Sequence, residues 1–171
     1  MPSMTLLPDG TGATAAQWVA VGEGTRHDCL DDNNGDTSYV KNSTNSTAMI
    51  ITYADPHIAE ADIASITSVS FISSGRSPDR RFPGVVDIAF QVPSGFSESC
   101  SFNSDSAYEG INGTTRTAKP DTTAWEYSDV ENLAMICTKD GTIEVYLSYL
   151  AIKVDYTEAV TTNATFFGAN F

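Results

Sequence analysis

The chain has 171 residues, enough for one domain with a sizeable core. Its 41% hydrophobic and 10% aromatic content excludes a disordered polymer. Formal net charge is −13, from 9 basic and 22 acidic residues. That balance argues against nucleic acid as a partner, because phosphates are neutralised by Lys and Arg, and against adhesion to anionic membranes.

In chain order, residues 1–15 are rich in Pro, Gly and Thr and lack periodicity. They read as an N-terminal arm, either frayed or strapped over a neighbouring subunit. They also lack the basic and apolar regions of a signal peptide. Gln17–Gly22 is expected to form a first short strand with Trp18 as a core anchor. Gly24–Val40 then gathers Asp28, Asp31, Asp32 and Asp36. An EF-hand loop needs its Gly at the sixth position and a Glu at the twelfth. Here Gly35 comes one position early after Asp31, and no Glu follows at the required distance. The stretch therefore reads as an acidic turn between strands, with a non-EF-hand calcium site as the alternative; no cofactor or metal is assigned. His27 and His57 have no companion ligands in the sequence.

Ala48–Tyr53 reads as a strand, residues 55–63 as a loop, and Ala64–Ser74 as an alternating strand with Val69 and Phe71 inward. Gly75–Gly84, GRSPDRRFPG, is the basic cluster of the chain, an exposed loop carrying Arg76, Arg80 and Arg81. Val85–Val92 is a core strand and Ser94–Ser106 a weak one. Asn112-Gly113 signals a hairpin. Ser128 can cap a short helix with Glu131 at the capping-box position, its inner face formed by Val130, Leu133 and Ala134.

Thr142–Thr157 is the longest β-favouring run. Ile143, Val145, Leu147 and Tyr149 alternate, then the phase slips to Leu150, Ile152, Val154 and Tyr156. A slip of this kind marks a bulge or strong twist, and a strand this long could serve two sheets. The tail, residues 158–171, carries Phe166, Phe167 and Phe171 on a polar segment, to be covered by the domain itself or by another subunit.

These elements together indicate an all-β chain: a jelly-roll-like antiparallel β-sandwich over residues 16–157, with one short helix before the last long strand. Cys29, Cys100 and Cys137 form no C-x-x-C pair, and their odd count suits partly buried free thiols. No G-x-S-x-G, H-E-x-x-H, P-loop or G-x-G-x-x-G motif occurs, so no catalytic residue is assigned and the expectation is a protein that is not an enzyme.

Trp18, Asp31–Val40 (DDNNGDTSYV), Asp62–Phe71 (DIASITSVSF), the spaced set Pro120, Thr122, Trp125, Asp129, Val130 and Leu133, and the closing Val154-Asp155-Tyr156 occur in an order that resembles jelly-roll modules on tailed-bacteriophage virions, capsid decoration (cement) proteins among them. The resemblance implies a structural virion protein on the outer face of a phage head, made in the host cytoplasm. Its partners would be the major capsid protein and copies of itself, as a trimer. The partner-binding residues would be Arg76, Arg80, Arg81, Phe166, Phe167 and Phe171, besides the N-terminal arm. The alternative is a carbohydrate-binding or receptor-binding jelly-roll module of a tail or spike, with Trp125, Tyr127, Tyr108 and Asp129 as candidate sugar contacts.

Overall fold

The computed structural model describes residues 1–160 except 15, 23, 34, 80 and 104–106, and excludes the side chains of Asp36 and Val92. The elements are β1 (Ser3–Leu6), β2 (Pro8–Thr11), β3 (Val19–Val21), β4 (Tyr39–Asn42), β5 (Ala48–Tyr53), β6 (Ile63–Arg76), β7 (Gly84–Val92), β8 (Ser97–Phe102), β9 (Glu109–Asn112), α1 (Tyr127–Glu131), β10 (Ala134–Asp140) and β11 (Val145–Glu158). Among the described residues they form two antiparallel sheets. One has the order β3-β4-β11-β6-β9 with β1 also paired to β11, and the other has the order β2-β5-β10-β7-β8. The chain passes between the sheets repeatedly, which makes it a jelly-roll-like β-sandwich with α1 before the final two strands.

The two sheets close on side chains that alternate along each strand. Val145, Leu147, Leu150, Ile152 and Val154 of β11 meet Val86, Ile88 and Phe90 of β7 and Met135 and Cys137 of β10, all buried. Each such side chain contributes about 1.5–3 kcal/mol on burial. Trp18 is wholly buried and its indole N–H donates to the Thr47 carbonyl at 3.0 Å, which satisfies its polar atom inside the core. Lys139 is also wholly buried on the inner side of β10. Its ammonium donates to the carbonyls of Asp140 and Gly141, tying down the turn into β11, and burial pushes the amine below the ordinary lysine range.

The long strand lies in a single sheet. On one side β11 pairs with β6 from Tyr146 to Glu158, nearly its whole length. On the other it pairs with β4 at Val145–Leu147 and with β1 at Ile152–Asp155. The phase slip is real but falls earlier than the sequence pattern places it: the register shifts between Leu147 and Tyr149. Ser148 is the additional residue, and Tyr149 therefore joins the outward face.

Residues 1–15, expected as an arm, contribute β1 to one sheet and β2 to the other. Met4, Leu6 and Pro8 are buried, while Ser3, Thr5 and Leu7 face outward. The two-residue alternation in SMTLLP is real but too short to stand out from its Gly- and Thr-rich surroundings.

Asn112-Gly113 makes no hairpin. The chain runs on beside β6, Gly113 N–H donating to Phe71 O at 2.8 Å and Arg116 bridging to Val69. Glycine is required there by close approach, since a Cβ would fall inside the Phe71 ring. Ala134 belongs to β10 rather than to the helix. α1 is capped by Glu126, with Asp129 completing the capping box in place of Ser128 and Glu131.

Two outcomes follow from this packing. Gly113→Ala should lower stability in urea unfolding by about 1–3 kcal/mol through overpacking against Phe71. The free thiols of Cys29, Cys100 and Cys137 are all buried, and burial raises the Cys100 thiol to about 11. A thiol reagent at neutral pH should therefore label none of the three in the native protein and all three in denaturant.

Candidate functional site

The outward face of the β3-β4-β11-β6-β9 sheet carries an unusual row of side chains. In β4, Val40 and Asn42 point inward and are buried, so Tyr39 and Lys41 point outward. Strand register then sets Val19, Lys41, Tyr146 and Arg76 side by side across β3, β4, β11 and β6. Tyr108, just ahead of β9, extends the row. The Arg76 guanidinium lies 4.7 Å from the centre of the Tyr146 ring and 5.4 Å from that of Tyr108. Tyr39 and Tyr146 are 4.9 Å apart at an interplanar angle of 33°. Neighbouring strands are spaced at about 4.8 Å, which is also a comfortable stacking distance. The register therefore builds a continuous stack, Tyr39, Tyr146, Arg76, Tyr108, with half-exposed outer edges.

The stack is also a row of hydrogen-bonding groups. The Tyr146 hydroxyl donates to Glu144 Oε2 at 2.9 Å. Burial, and next that bond, push the hydroxyl up to about 12, so it stays protonated at neutral pH. One wall of the site is the loop between β3 and β4. Ser148, the bulge residue, donates to Asn33 Oδ1 of this loop at 3.3 Å. Gly35, in the left-handed region at φ 62°, passes close beside the Tyr108 ring. Above Gly110 of β9 the surface is open.

At the β3 end the row meets a recess of about 550 Å³ floored by Val19 and Ala20 and walled by Thr11, Thr25, Arg26 and His27. The His27 ring contacts the Thr11 hydroxyl at 3.2 Å and the Thr25 hydroxyl at 3.0 Å, and its Nε2 is 3.5 Å from Asp28. The Thr25 hydroxyl donates to Asp28 at 2.5 Å and holds that carboxyl below its usual range. Arg26 Nε donates to the Trp18 carbonyl at 2.5 Å.

The residues singled out from sequence divide sharply. Arg76 is the last residue of β6 and part of the stack, rather than a member of the exposed loop. Arg81 is 81% exposed at the β6–β7 tip, 3.7 Å from Asp79 and beside Phe82. Arg80, Phe166, Phe167 and Phe171 lie outside the described residues. Tyr108 is separated from its proposed companions.

Trp125 is buried among Phe90 and Phe96 and donates to the Arg116 carbonyl at 2.9 Å. Tyr127 donates to the Ile58 carbonyl at 2.8 Å. Asp129 pairs with Lys119 at 2.9 Å and accepts from Glu126 N–H. These three hold α1 in place. In the acidic stretch Asp28 and Asp31 sit at the 3-10 turn Asp28–Leu30, and burial together with Asp32 raises the Asp31 carboxyl. Among the described residues no three His, Cys, Asp or Glu side chains converge as a cation site.

The sequence reading missed Tyr39, Lys41 and Tyr146. The signal was the alternation itself, since each sits between inward positions. What hid it was the distance along the chain between β4 and β11.

No protein-family model and no curated protein sequence matches the chain. Solved structures with a similar arrangement include the CBM35 from Cellvibrio japonicus Abf62, with a TM-score of 0.46 and 11% identity over 93% of this chain and 97% of that one. A family 29 carbohydrate-binding module from Piromyces equi has a TM-score of 0.38 and 11% identity over 90% and 91%. The CBM22-1 xylan-binding domain from Paenibacillus barcinonensis Xyn10C has a TM-score of 0.39 and 10% identity over 86% and 96%. No site residue is carried over from them to this chain. None is a virion protein, and the resemblance to capsid decoration modules finds no support among them.

Arg76→Met removes the cation from between two rings. It should cost about 1–2 kcal/mol in chemical unfolding and change the near-ultraviolet circular dichroism of the tyrosines.

Proposed function

We propose that this chain is a carbohydrate-binding module that takes its ligand on the outward face of the β3-β4-β11-β6-β9 sheet. The observation that carries the reading is the cross-strand row of Tyr39, Lys41, Tyr146, Arg76 and Tyr108. Pyranose rings present one apolar C–H face and a rim of hydroxyls, and they are held by aromatic surface flanked by fixed hydrogen-bond groups. The row supplies both in one line across four strands, which is the shape an extended sugar chain needs. The sheet backbone holds it rigid, so little ordering entropy is lost on binding. The recess beside Val19, with two threonine hydroxyls and His27 over an apolar floor, has the volume of an ordinary small-ligand pocket and continues the same surface. The chain's role in this reading is binding rather than catalysis.

Decoration of a phage head by protein contact is the second reading. It is favoured by one observation, the Arg81 and Phe82 pair exposed at the β6–β7 tip. Arg81→Glu with Phe82→Ser should abolish capsid binding if that reading holds and leave glycan binding intact if the first holds.

The direct test is a glycan array followed by calorimetry on the full chain. A hit should weaken about tenfold in Tyr39→Ala, since an aromatic contact of this kind is worth about 0.5–1.5 kcal/mol beyond its buried area. Thermal unfolding checks that the variant remains folded. No hit across plant, bacterial and animal glycans would sink the proposal.

A further inference from the structure

The two ends of the cross-strand row differ. At the β9 end the row runs out past Tyr108 onto surface that is open over Gly110. At the β3 end it passes Val19, which stands directly across from Lys41, and β3 is the edge strand of its sheet. Beyond that edge lies the recess of about 550 Å³ lined by Thr11, Val19, Ala20, Thr25, Arg26 and His27. Val19 belongs to both features, and it is 45% exposed at the corner where the row turns into the recess.

The far wall of the recess is tied to buried parts of the fold. Thr11 lies on β2, the edge strand of the opposite sheet, and its hydroxyl meets the His27 ring at 3.2 Å. That contact joins the wall to the second sheet. Arg26 Nε donates to the Trp18 carbonyl, and Leu30 N–H donates to the His27 carbonyl at 2.9 Å. Cys29 and Leu30, directly behind, are wholly buried. A wall held in this way is preorganised, and displacing it to let a ligand through would cost binding energy.

A sugar chain on the row can therefore continue past β9, whereas at β3 it runs into the wall. From β9 to β3 the row covers four strand spacings, or about 19 Å. We infer that the recess receives the end of an unbranched glycan while the row holds the sugars that follow it. A terminal sugar leaves free the hydroxyl that an internal sugar spends on its next linkage. The Thr11 and Thr25 hydroxyls and the His27 ring can each donate or accept to such a group, over the apolar floor of Val19 and Ala20. Asp28 lies beside His27, and Asp31 and Asp32 follow it in the chain. These carboxylates repel an anionic end, so the terminal sugar is an uncharged one. This rests on the carbohydrate reading above and names the part of the glycan that is recognised.

The test is calorimetry of the full chain with cello-, xylo- and manno-oligosaccharides of graded length and with their parent polymers. A series that binds should do so at one protein per sugar chain at every length, with an affinity that stops rising once the row is filled. On the longest oligosaccharide, borohydride reduction of the reducing sugar or methylation of the non-reducing one should weaken binding about tenfold, the loss of a hydrogen-bonded contact at the end. The modification that acts names the end. Ala16→Phe places a ring at the exposed rim of the recess. It should weaken the unmodified ligand about tenfold and abolish the effect of the end modification. Thr11→Val, which removes one hydroxyl at nearly constant size, should weaken binding by a smaller factor. Lys153→Gln, away from row and recess, should change neither.

Several protein molecules per long chain, with both end modifications silent, would overturn the inference and leave carbohydrate binding standing. Binding by none of the three series would also overturn it. A blank glycan array would then remove the carbohydrate reading too, whereas an array hit would leave that reading in place. If Ala16→Phe unfolds the protein, the wild-type stoichiometry and the end modifications still decide the question.

Discussion

The pairing of β11 with β6 is the constraint on which the rest of this structure depends. Both strands run fourteen residues, and they pair with each other along nearly all of that length. Long non-local antiparallel pairing carries a large entropic cost of closure. It is offset here by a buried face on each strand, with Leu150, Ile152 and Val154 opposite Ser73, Phe71 and Val69. With that ribbon in place, β4 and β1 add to one side and β9 to the other. The second sheet then has a floor to pack against. The 3-10 turn Asp28–Leu30 packs against β11, β4 and β2, burying Cys29 and Leu30.

The same pairing generates the candidate site. Register along β11 sets Tyr146 opposite Lys41 on one side and Arg76 on the other, and a shift of one residue in either strand would turn those side chains into the core. The bulge at Ser148 protects this arrangement. It absorbs one residue, so that Val145 and Leu147 before it and Leu150 and Ile152 after it all face inward. Its hydroxyl also anchors the loop that walls the site. A local irregularity in the ladder thus serves both the core and the surface.

Polar groups are satisfied economically around this framework. The indoles of Trp18 and Trp125 each reach a backbone carbonyl. Glu98 binds Thr114 N–H and Arg116 together, linking β8 to the segment after β9 and closing that edge of the sandwich. Lys139 satisfies the turn carbonyls from inside. Against this background the outward row is distinctive because its rings and cations lie half-buried side by side on one face of the sheet.

The amino-acid sequence by itself determined the fold class, most strand positions, the inward faces of Val69 and Phe71, the anchoring role of Trp18 and the state of the three thiols. Each of these depends on local alternation, turn chemistry or composition, which a linear chain displays directly. It also marked the slip in β11, missing its position by a residue because a bulge and a twist look alike in a period-two pattern. Only the tertiary structure decided that Ser3–Leu6 and Pro8–Thr11 join the two sheets, that the chain continues through Asn112-Gly113 beside β6, and that Trp125, Tyr127 and Asp129 hold a helix in place. It alone brought Tyr39, Lys41, Arg76, Tyr108 and Tyr146 into one row. These residues are scattered over more than a hundred positions and carry no common motif. Their proximity is set by strand register between distant segments, and register is a property of the paired sheet rather than of any stretch of sequence.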